Sequence, residues 1–368
     1  MNKLFTAIIF CFLLMLVLYK ITFKQGDDLQ NFTRKVPYKR SESIKDIKLD
    51  WSSHKRLAIG SDNWPVTWAA DNSQYTAFGD GGGFNGTNKK GRVSLGVSRI
   101  VGPVNKFKGH NIWGGYRSKT KSNVDGKSYG ILAIDDVMYM WVSPGSDARG
   151  YQEARLYFSK DNGYEWNLCG WSFKQNDGII YPTFLQYGKN YQFNKDDFVY
   201  IYAANLKSRD KLMVQKPGEI VMLRVPKNNI LNREKYVFFS GFDDDKNPKW
   251  TNNINERFPV FKDQNGVGWT CSASYVKKFD RYFLTTEHSE SFKGNFGIFE
   301  AVKPWGPWTT IYYVEGFGSN KIEKSCFFLN FSNKFTYENK DNKVFLIFTG
   351  VGKNDSFNFI EASFEITK

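Results

Sequence analysis

Residues Lys127–Phe173, KSYGILAIDDVMYMWVSPGSDARGYQEARLYFSKDNGYEWNLCGWSF, contain four short runs: KSYGILAI, VMYMWVS, EARLYFSK and EWNLCGWSF. Each run is rich in β-branched and aromatic residues and is cut from the next by Asp, Gly, Asn or Pro, which is how strands separated by tight turns are written. Asp135 and Asp136 fall between the first two runs and predict a hairpin turn. Ser159–Trp166, SKDNGYEW, falls between the third and fourth. There Asp161 is placed to accept turn N–H bonds, Gly163 to adopt positive φ, and Trp166 to pack between neighbouring strands.

The same grouping extends in both directions. WPVTWAA, QYTAFGD, RVSLGVSRIV and the approach to NIWGGY form a group upstream. IIYPTFLQYG, DFVYIYAAN, EIVMLRVP and KYVFFSGF follow downstream, and then VGWTCSASYV, DRYFLTTEH, NFGIFEAV and WTTIYYVE. A last group, KSCFFLNF, KVFLIFTG and FNFIEASFEI, is one strand short, and HKRLAIG (54–60) can supply it from the other end of the chain. No stretch past residue 50 sustains a 3.6-residue apolar period. With 33 Phe, 20 Tyr, 11 Trp and 32 Gly in 368 residues, the pattern predicts an all-β five-bladed β-propeller over residues 51–368.

The N-terminus has a different composition. MNKLFTAIIFCFLLMLVLYKITFK places Lys3 before an apolar run from Leu4 to Tyr19, near the ~20 residues a membrane span needs and longer than the ~7–15 of a signal-peptide core. Residues 1–23 are therefore expected to be a transmembrane signal anchor, and the polar residues 24–50 a stalk. The body is expected to be extracytoplasmic, or secreted if the segment is cleaved. Cys169, Cys271 and Cys326 are too few and too irregular for a metal knuckle and are expected to be inert core thiols. A net charge of +14 favours an acidic partner, but the lysines are scattered and no nucleic-acid motif appears. The expectation is a solvated basic surface and no nucleic acid.

SDNWPVTWAADNSQYTAFGDGGG, residues 61–83, carries the candidate chemistry. A hairpin around AADNSQ brings Asp62 and Asp80 close to each other, and Gly81–Gly83 allow a ligand or another backbone to approach. Glycoside hydrolysis commonly uses two carboxylates, with aromatic side chains to stack the sugar. The two acids are thus either turn caps or a catalytic pair. Asn63, Trp64, Trp68, Arg92 and Trp113, with Glu287 and His288 of LTTEHSE, are candidate substrate contacts. FDDDK (242–246) lacks the alternating spacing of a Ca²⁺ loop, and no Ser or Cys signature adjoins a histidine. Neither a metal nor another cofactor is expected.

SKDNGYEW resembles the Asp-box of sialidase-like propellers. SDNWPVTWAADNSQYTAFGDGGGFNG, GRVSLGVSRI, IWGG, EIVMLRVPKNNILNREKYVFFSGF, NPKWTNN and PWGPWTTIYY together resemble a family of secreted bacterial propeller proteins long labelled as a domain of unknown function. Some of its members are assigned as endo-D-arabinofuranases acting on mycobacterial arabinan. The likeness spans roughly residues 55–365. It implies a five-bladed propeller and a glycosidase acting on extracellular polysaccharide, with arabinofuranoside-containing chains among the candidate substrates, and it points to Asp62 and Asp80 as the catalytic acids. The alternative function is a non-catalytic carbohydrate-binding or adhesion propeller. A sialidase would need an arginine cluster whose placement the sequence does not give.

Overall fold

β1 (Ile44–Leu57) opens a chain of sequential antiparallel meanders. The first is β2 (Val66–Trp68), β3 (Gln74–Gly81), β4 (Val93–Val101) and β5 (Lys108–Trp113); the second is β6 (Gly126–Ile134), β7 (Val137–Pro144), β8 (Glu153–Ser159) and β9 (Asn167–Lys174). The third comprises β10 (Thr183–Gln186), β11 (Phe198–Ala204), β12 (Gly218–Pro226), β13 (Val237–Phe242), β14 (Pro248–Thr251) and β15 (Pro259–Asp263). The fourth is β16 (Cys271–Val276), β17 (Arg281–Glu287), β18 (Phe296–Ala301) and β19 (Thr309–Val314). Last come β20 (Ser325–Phe331), a short helix α1 (Asn333–Glu338), β21 (Lys343–Val351) and β22 (Ser356–Ile366). This computed structural model describes residues 35–145, 151–207, 212–318, 320–322, 325–351 and 355–367.

These strands form four sheets, because a parallel contact between β10 and β16 (Leu185 with Ala273, Gln186 with Ser274) fuses the third and fourth meanders into one ten-stranded sheet. The first strand of every meander points into the middle. Val66, Ile131, Phe184, Ala273 and Phe331, from β2, β6, β10, β16 and β20, line a common void of about 10 Å³, at the limit of what one water occupies. The axis is therefore closed by side chains. Apolar layers fill the gaps between sheets: Leu95, Val97, Ile131 and Met140 between the first two, and Phe283, Ile298, Leu346 and Phe364 between the fourth and the last.

The turn at Ser159–Trp166 forms by the expected physics. The Asp161 Oδ1 atom accepts the N–H groups of Tyr164 (3.1 Å) and Glu165 (3.0 Å), Gly163 has φ +85°, and the Trp166 indole donates to the Gly163 carbonyl at 3.0 Å. Asp135 and Asp136, at φ +49° and +62°, make the hairpin turn between β6 and β7.

The N-terminal side of the domain reaches further back than residue 51. β1 begins at Ile44, inside the segment expected to be a stalk, and pairs with β22 from Ile44–Ile366 to Leu57–Phe357. Ile44 and Ile47 are buried in one cluster with Phe283, Phe331 and Phe364, and a register shift between Ile44 and Asp46 lets both face that core despite their three-residue spacing. Residues 38–41 also lie on the domain, with Thr310 N–H donating to the Lys39 carbonyl and Ser41 N–H to that of Thr310. The anchor expected over residues 1–23 lies outside the described residues, among which no helix is long and apolar enough to cross a membrane. Cys169, Cys271 and Cys326 are buried free thiols.

Ile47→Ala should cost about 2–4 kcal/mol by removing a buried branched side chain from the seam between β1 and the rest. Urea denaturation of the full chain measures it, and a loss under 0.5 kcal/mol would mean β1 is peripheral.

Candidate functional site

The heads of the five central strands share one end of the domain, where Tyr129, Tyr181, Trp269, Phe327 and Phe328 pack into an aromatic plug. Asp62 lies beside that plug, just before β2. Its backbone is locked to Gly79 by a reciprocal pair of hydrogen bonds, Asp62 N–H to Gly79 O at 2.9 Å and Gly79 N–H to Asp62 O at 2.8 Å.

Successive strand residues face opposite ways, so Asp80 should point away from Asp62. Its φ of +53° breaks the alternation and turns the carboxylate toward β6. There the Lys127 ammonium, on a side chain only 5 % exposed, ion-pairs with Asp80 Oδ1 and donates to the Ser94 carbonyl at 3.2 Å. Gly79 makes the arrangement possible. A Cβ on it would stand 2.7 Å from Asp62 Oδ1 and 3.1 Å from Lys127 Nζ. The bare Cα thus lets Asp62 and the Lys127–Asp80 pair converge on one small space. Arg92 approaches Asp80 Oδ1 at 3.5 Å and also donates to the Asp80 carbonyl and to Asn88.

A third carboxyl group joins them from the far end of the sequence. Asp355, just before β22, accepts the Gly60 N–H through its carbonyl. Burial pushes its carboxyl above the ordinary carboxylate range and the charge of Asp80 adds to this, while Lys127, Arg92 and Arg56 act in the opposite sense. The candidate site is therefore three aspartates framed by Lys127, Arg92 and Arg56. Among the described residues no group of His, Cys, Asp and Glu could hold a metal ion.

Of the residues picked out from sequence, Asp62, Asn63, Asp80 and Arg92 are brought together here. Asn63, buried with φ +55°, donates from Nδ2 to Asp62 Oδ1 at 3.0 Å, so it orients the acid. The three tryptophans expected to meet a sugar do not reach the surface. Trp64 is fully buried against Phe78, Phe84 and Phe357, and Trp113 is packed between the first two sheets beside Trp166. Trp68 is buried at the other end of β2, donating to Asn72 Oδ1 at 3.0 Å. His288 is likewise a core residue: its ring stacks on Tyr313 at 3.7 Å, with Nε2 3.1 Å from the Val314 carbonyl oxygen.

Glu287 is buried too, at 1 % exposure. Its Oε1 accepts the Phe292 N–H at 2.9 Å, Oε2 has no hydrogen-bond partner among the described residues, and burial raises its pKa to about 8. The Phe292 ring in turn packs on Trp269 of the plug, with centroids 4.6 Å apart. Glu287 thus supports the loop behind the site through its bond to Phe292.

The Gly81–Gly83 run serves close backbone approach. A Cβ on Gly81 would be 2.0 Å from the Gly60 carbonyl oxygen, and one on Gly82 2.0 Å from that of Lys90. Asn111 then stitches the loop, donating to the carbonyls of Gly82 (2.9 Å), Phe84 (3.0 Å) and Tyr116 (2.8 Å). Lys127 and Asp355 were missed by sequence reasoning. A lysine at the head of the otherwise apolar KSYGILAI was the available signal for the first; nothing local marks the second.

A model of the family described as "Domain of unknown function (DUF4185)" matches residues 129–325. No curated protein is similar to the chain in sequence. Among solved structures, a GH43_1 enzyme from Xanthomonas citri complexed with xylose is 10% identical with a TM-score of 0.50, covering 87% of this chain and 96% of that one. RS223-Beta-xylosidase is 11% identical with a TM-score of 0.49, covering 86% and 98%. The alpha-L-arabinofuranosidase PaAbf62A from Podospora anserina, in complex with cellotriose, is 9% identical with a TM-score of 0.46, covering 89% and 93%. At 10% identity the likeness to the Xanthomonas citri enzyme concerns the fold alone.

The Glu287 carboxyl gives a pH prediction. With a folded pKa near 8 against an ordinary 4.5, the folded state holds a proton that the unfolded state releases first. Its stabilising contribution is complete below pH 4.5 and is lost as pH rises to 8. Glu287→Gln should remove that slope and be more stable than the parent by about 2 kcal/mol or more at pH 8. Thermal unfolding of both proteins between pH 4.5 and 8.5 measures the difference, and parallel curves would place the ionisation elsewhere.

Proposed function

The chain belongs to the DUF4185 family, and on that premise we propose that it is a glycoside hydrolase acting on extracellular polysaccharide, arabinofuranoside-containing chains among the candidates. In this reading the meanders are five propeller blades, closed by β1 in the last, and residues 1–23 anchor the protein to a membrane with the body outside the cytoplasm. Asp62 and Asp80 are the catalytic pair at the mouth. One observation carries the proposal: Asp62 Oδ1 and the Lys127 ammonium that holds Asp80 both stand against the bare Cα of Gly79. Two acids of unlike surroundings, one beside a buried cation and one beside a neutral amide, are what acid and base roles in glycoside hydrolysis require. Lys127 is a positioning residue, since it reaches the reaction only through Asp80.

A fold shared with sugar-processing enzymes is analogy of scaffold, and the carboxylate site has to carry the chemistry. The non-catalytic reading draws on a different feature of that site: Asp80 already has cationic partners on two sides, Lys127 and Arg92, as a purely structural acid would.

Incubating the full chain with a panel that includes arabinan and xylan, and following reducing ends, separates the two. Asp62→Asn and Asp80→Asn are each expected to lower kcat/KM on the active substrate by about 10²-fold or more, and Lys127→Met by about 10-fold, with unfolding midpoints little changed. Full turnover in both Asn variants would remove the pair from the mechanism. Glycan binding with no turnover by the parent would establish the adhesion reading.

A further inference from the structure

Resting on the glycosidase reading, we propose that its substrate is an acidic polysaccharide, whose anionic groups are held by a cationic rim made of Lys89, Lys90, Tyr116 and Arg117. Two loops build this rim, residues 82–92 between β3 and β4 and residues 114–125 between β5 and β6. Together these 23 residues contain Lys89, Lys90, Arg92, Arg117, Lys119 and Lys121 against a single acid, Asp125, which accepts the Ser94 hydroxyl at 2.9 Å. A chain whose net charge is +14 over 368 residues thus places six positive charges against one acid on two loops that adjoin one another. All six side chains belong to exposed residues. Among the described residues, only Arg92 is within ion-pairing distance of a carboxylate, that of Asp80.

The loops hold the charges on a fixed frame. Tyr116 N–H donates to the Gly82 carbonyl at 2.8 Å, two residues from Asp80, and Asn111 ties both loops together from below. A Cβ on Gly91 would meet the Tyr116 backbone at 2.4 Å, which shows how closely the two chains run. The ring of Tyr116 lies between two cations, Lys90 Nζ at 4.1 Å and Arg117 Cζ at 5.1 Å from its centroid. Cations sharing one aromatic ring repel each other, and among the described residues no carboxylate lies within ion-pairing distance of Lys90 or Arg117. The same field draws the Tyr116 phenol below its ordinary pKa, chiefly through the hydrogen bond from Lys90.

A neutral glycan would leave this repulsion in place. A polysaccharide with a carboxylate or phosphodiester on each repeat supplies the missing counter-charge and is steered toward Asp62 and Asp80 by it. Scattered lysines account for a soluble surface, but they do not account for two loops with six cations and one acid locked together beside the candidate site.

The experiment measures binding by the full chain to polygalacturonate, poly(glycerol phosphate), neutral arabinan and single-stranded RNA, at 50 and 300 mM NaCl. One or both acidic polysaccharides should bind about 10-fold or more tighter than arabinan at low salt, and the advantage should shrink at high salt. The polymer that binds better identifies the anionic group. The triple variant Lys89→Ser, Lys90→Ser, Arg117→Ser should lose that advantage while keeping its unfolding midpoint, and Asp80→Asn should keep it. Equal affinity for arabinan, no effect of the triple variant, or RNA binding 10-fold tighter than either acidic polysaccharide would overturn the proposal. Turnover is scored separately. Acid-selective binding without cleavage removes the glycosidase reading and leaves the rim; cleavage of arabinan without acid selectivity does the reverse.

Discussion

The pairing of β1 with β22 is the constraint on which the site depends. Without it β22 would be an unpaired edge, and the two ends of the chain would have no common register. With it, Leu57 is set opposite Phe357, and the chain leaves β1 through Ala58 (φ +47°) and Gly60 (φ +96°) directly into Asp62. The Arg56 side chain donates to Ser356 Oγ at 3.0 Å, and the Gly60 N–H is taken by the Asp355 carbonyl. One antiparallel seam therefore closes the sheet and also brings an aspartate from near residue 60 beside one from near residue 355. A slip of one residue in that seam would turn every side chain of β1 to the opposite face and separate the two acids.

The seam also explains which parts of the architecture were legible in the sequence. Strand identity was, because GILAI, VMYMW and LYF alternate between turn residues that admit no helix. The grouping into meanders was also legible, as was the turn at Ser159–Trp166, whose hydrogen bonds are local to eight residues. The start of β1 was not. IKDIKLDW carries its apolar residues at irregular spacing among charges, and only burial of Ile44 and Ile47 under Phe283 and Phe364 identifies it as a strand. That burial depends on strands more than two hundred residues away.

At the candidate site, legibility follows the same division between local and distant. Asp62 and Asp80 belong to one hairpin, so sequence spacing could bring them together. What spacing could not supply was the left-handed φ of Asp80, without which strand alternation would put its carboxylate on the other face. Lys127 comes from the next meander and Asp355 from the last, and contacts between meanders leave no periodic trace. The aromatics misled for a related reason. Trp64, Trp68 and Trp113 stand next to polar and glycine-rich residues in the sequence, which suggested a ligand platform. In the fold those glycines let main chains cross closely, and the three tryptophans are buried in packing instead. A β scaffold whose axis must be closed spends its large rings on packing.

The consequence for the proposed chemistry is that this mouth offers a ligand charge more than stacking surface. The described residues at this end offer an aromatic plug that is already packed, with Tyr129, Trp269, Phe292 and Phe327 in mutual contact. What faces outward is Asp80, at 36 % side-chain exposure, with Arg92 at 47 % and the lysines of the adjoining loop. An acid set in a cationic frame has a specific electrostatic character. The buried Lys127 compensates Asp80 locally, where screening by salt is weak, while the exposed cations act over roughly a Debye length of about 8–10 Å and are muted as ionic strength rises. In the proposed reading, attraction of a ligand and alignment of the reacting acid therefore fall to different residues. The first can vary with the surroundings of the protein while the second stays fixed by the fold.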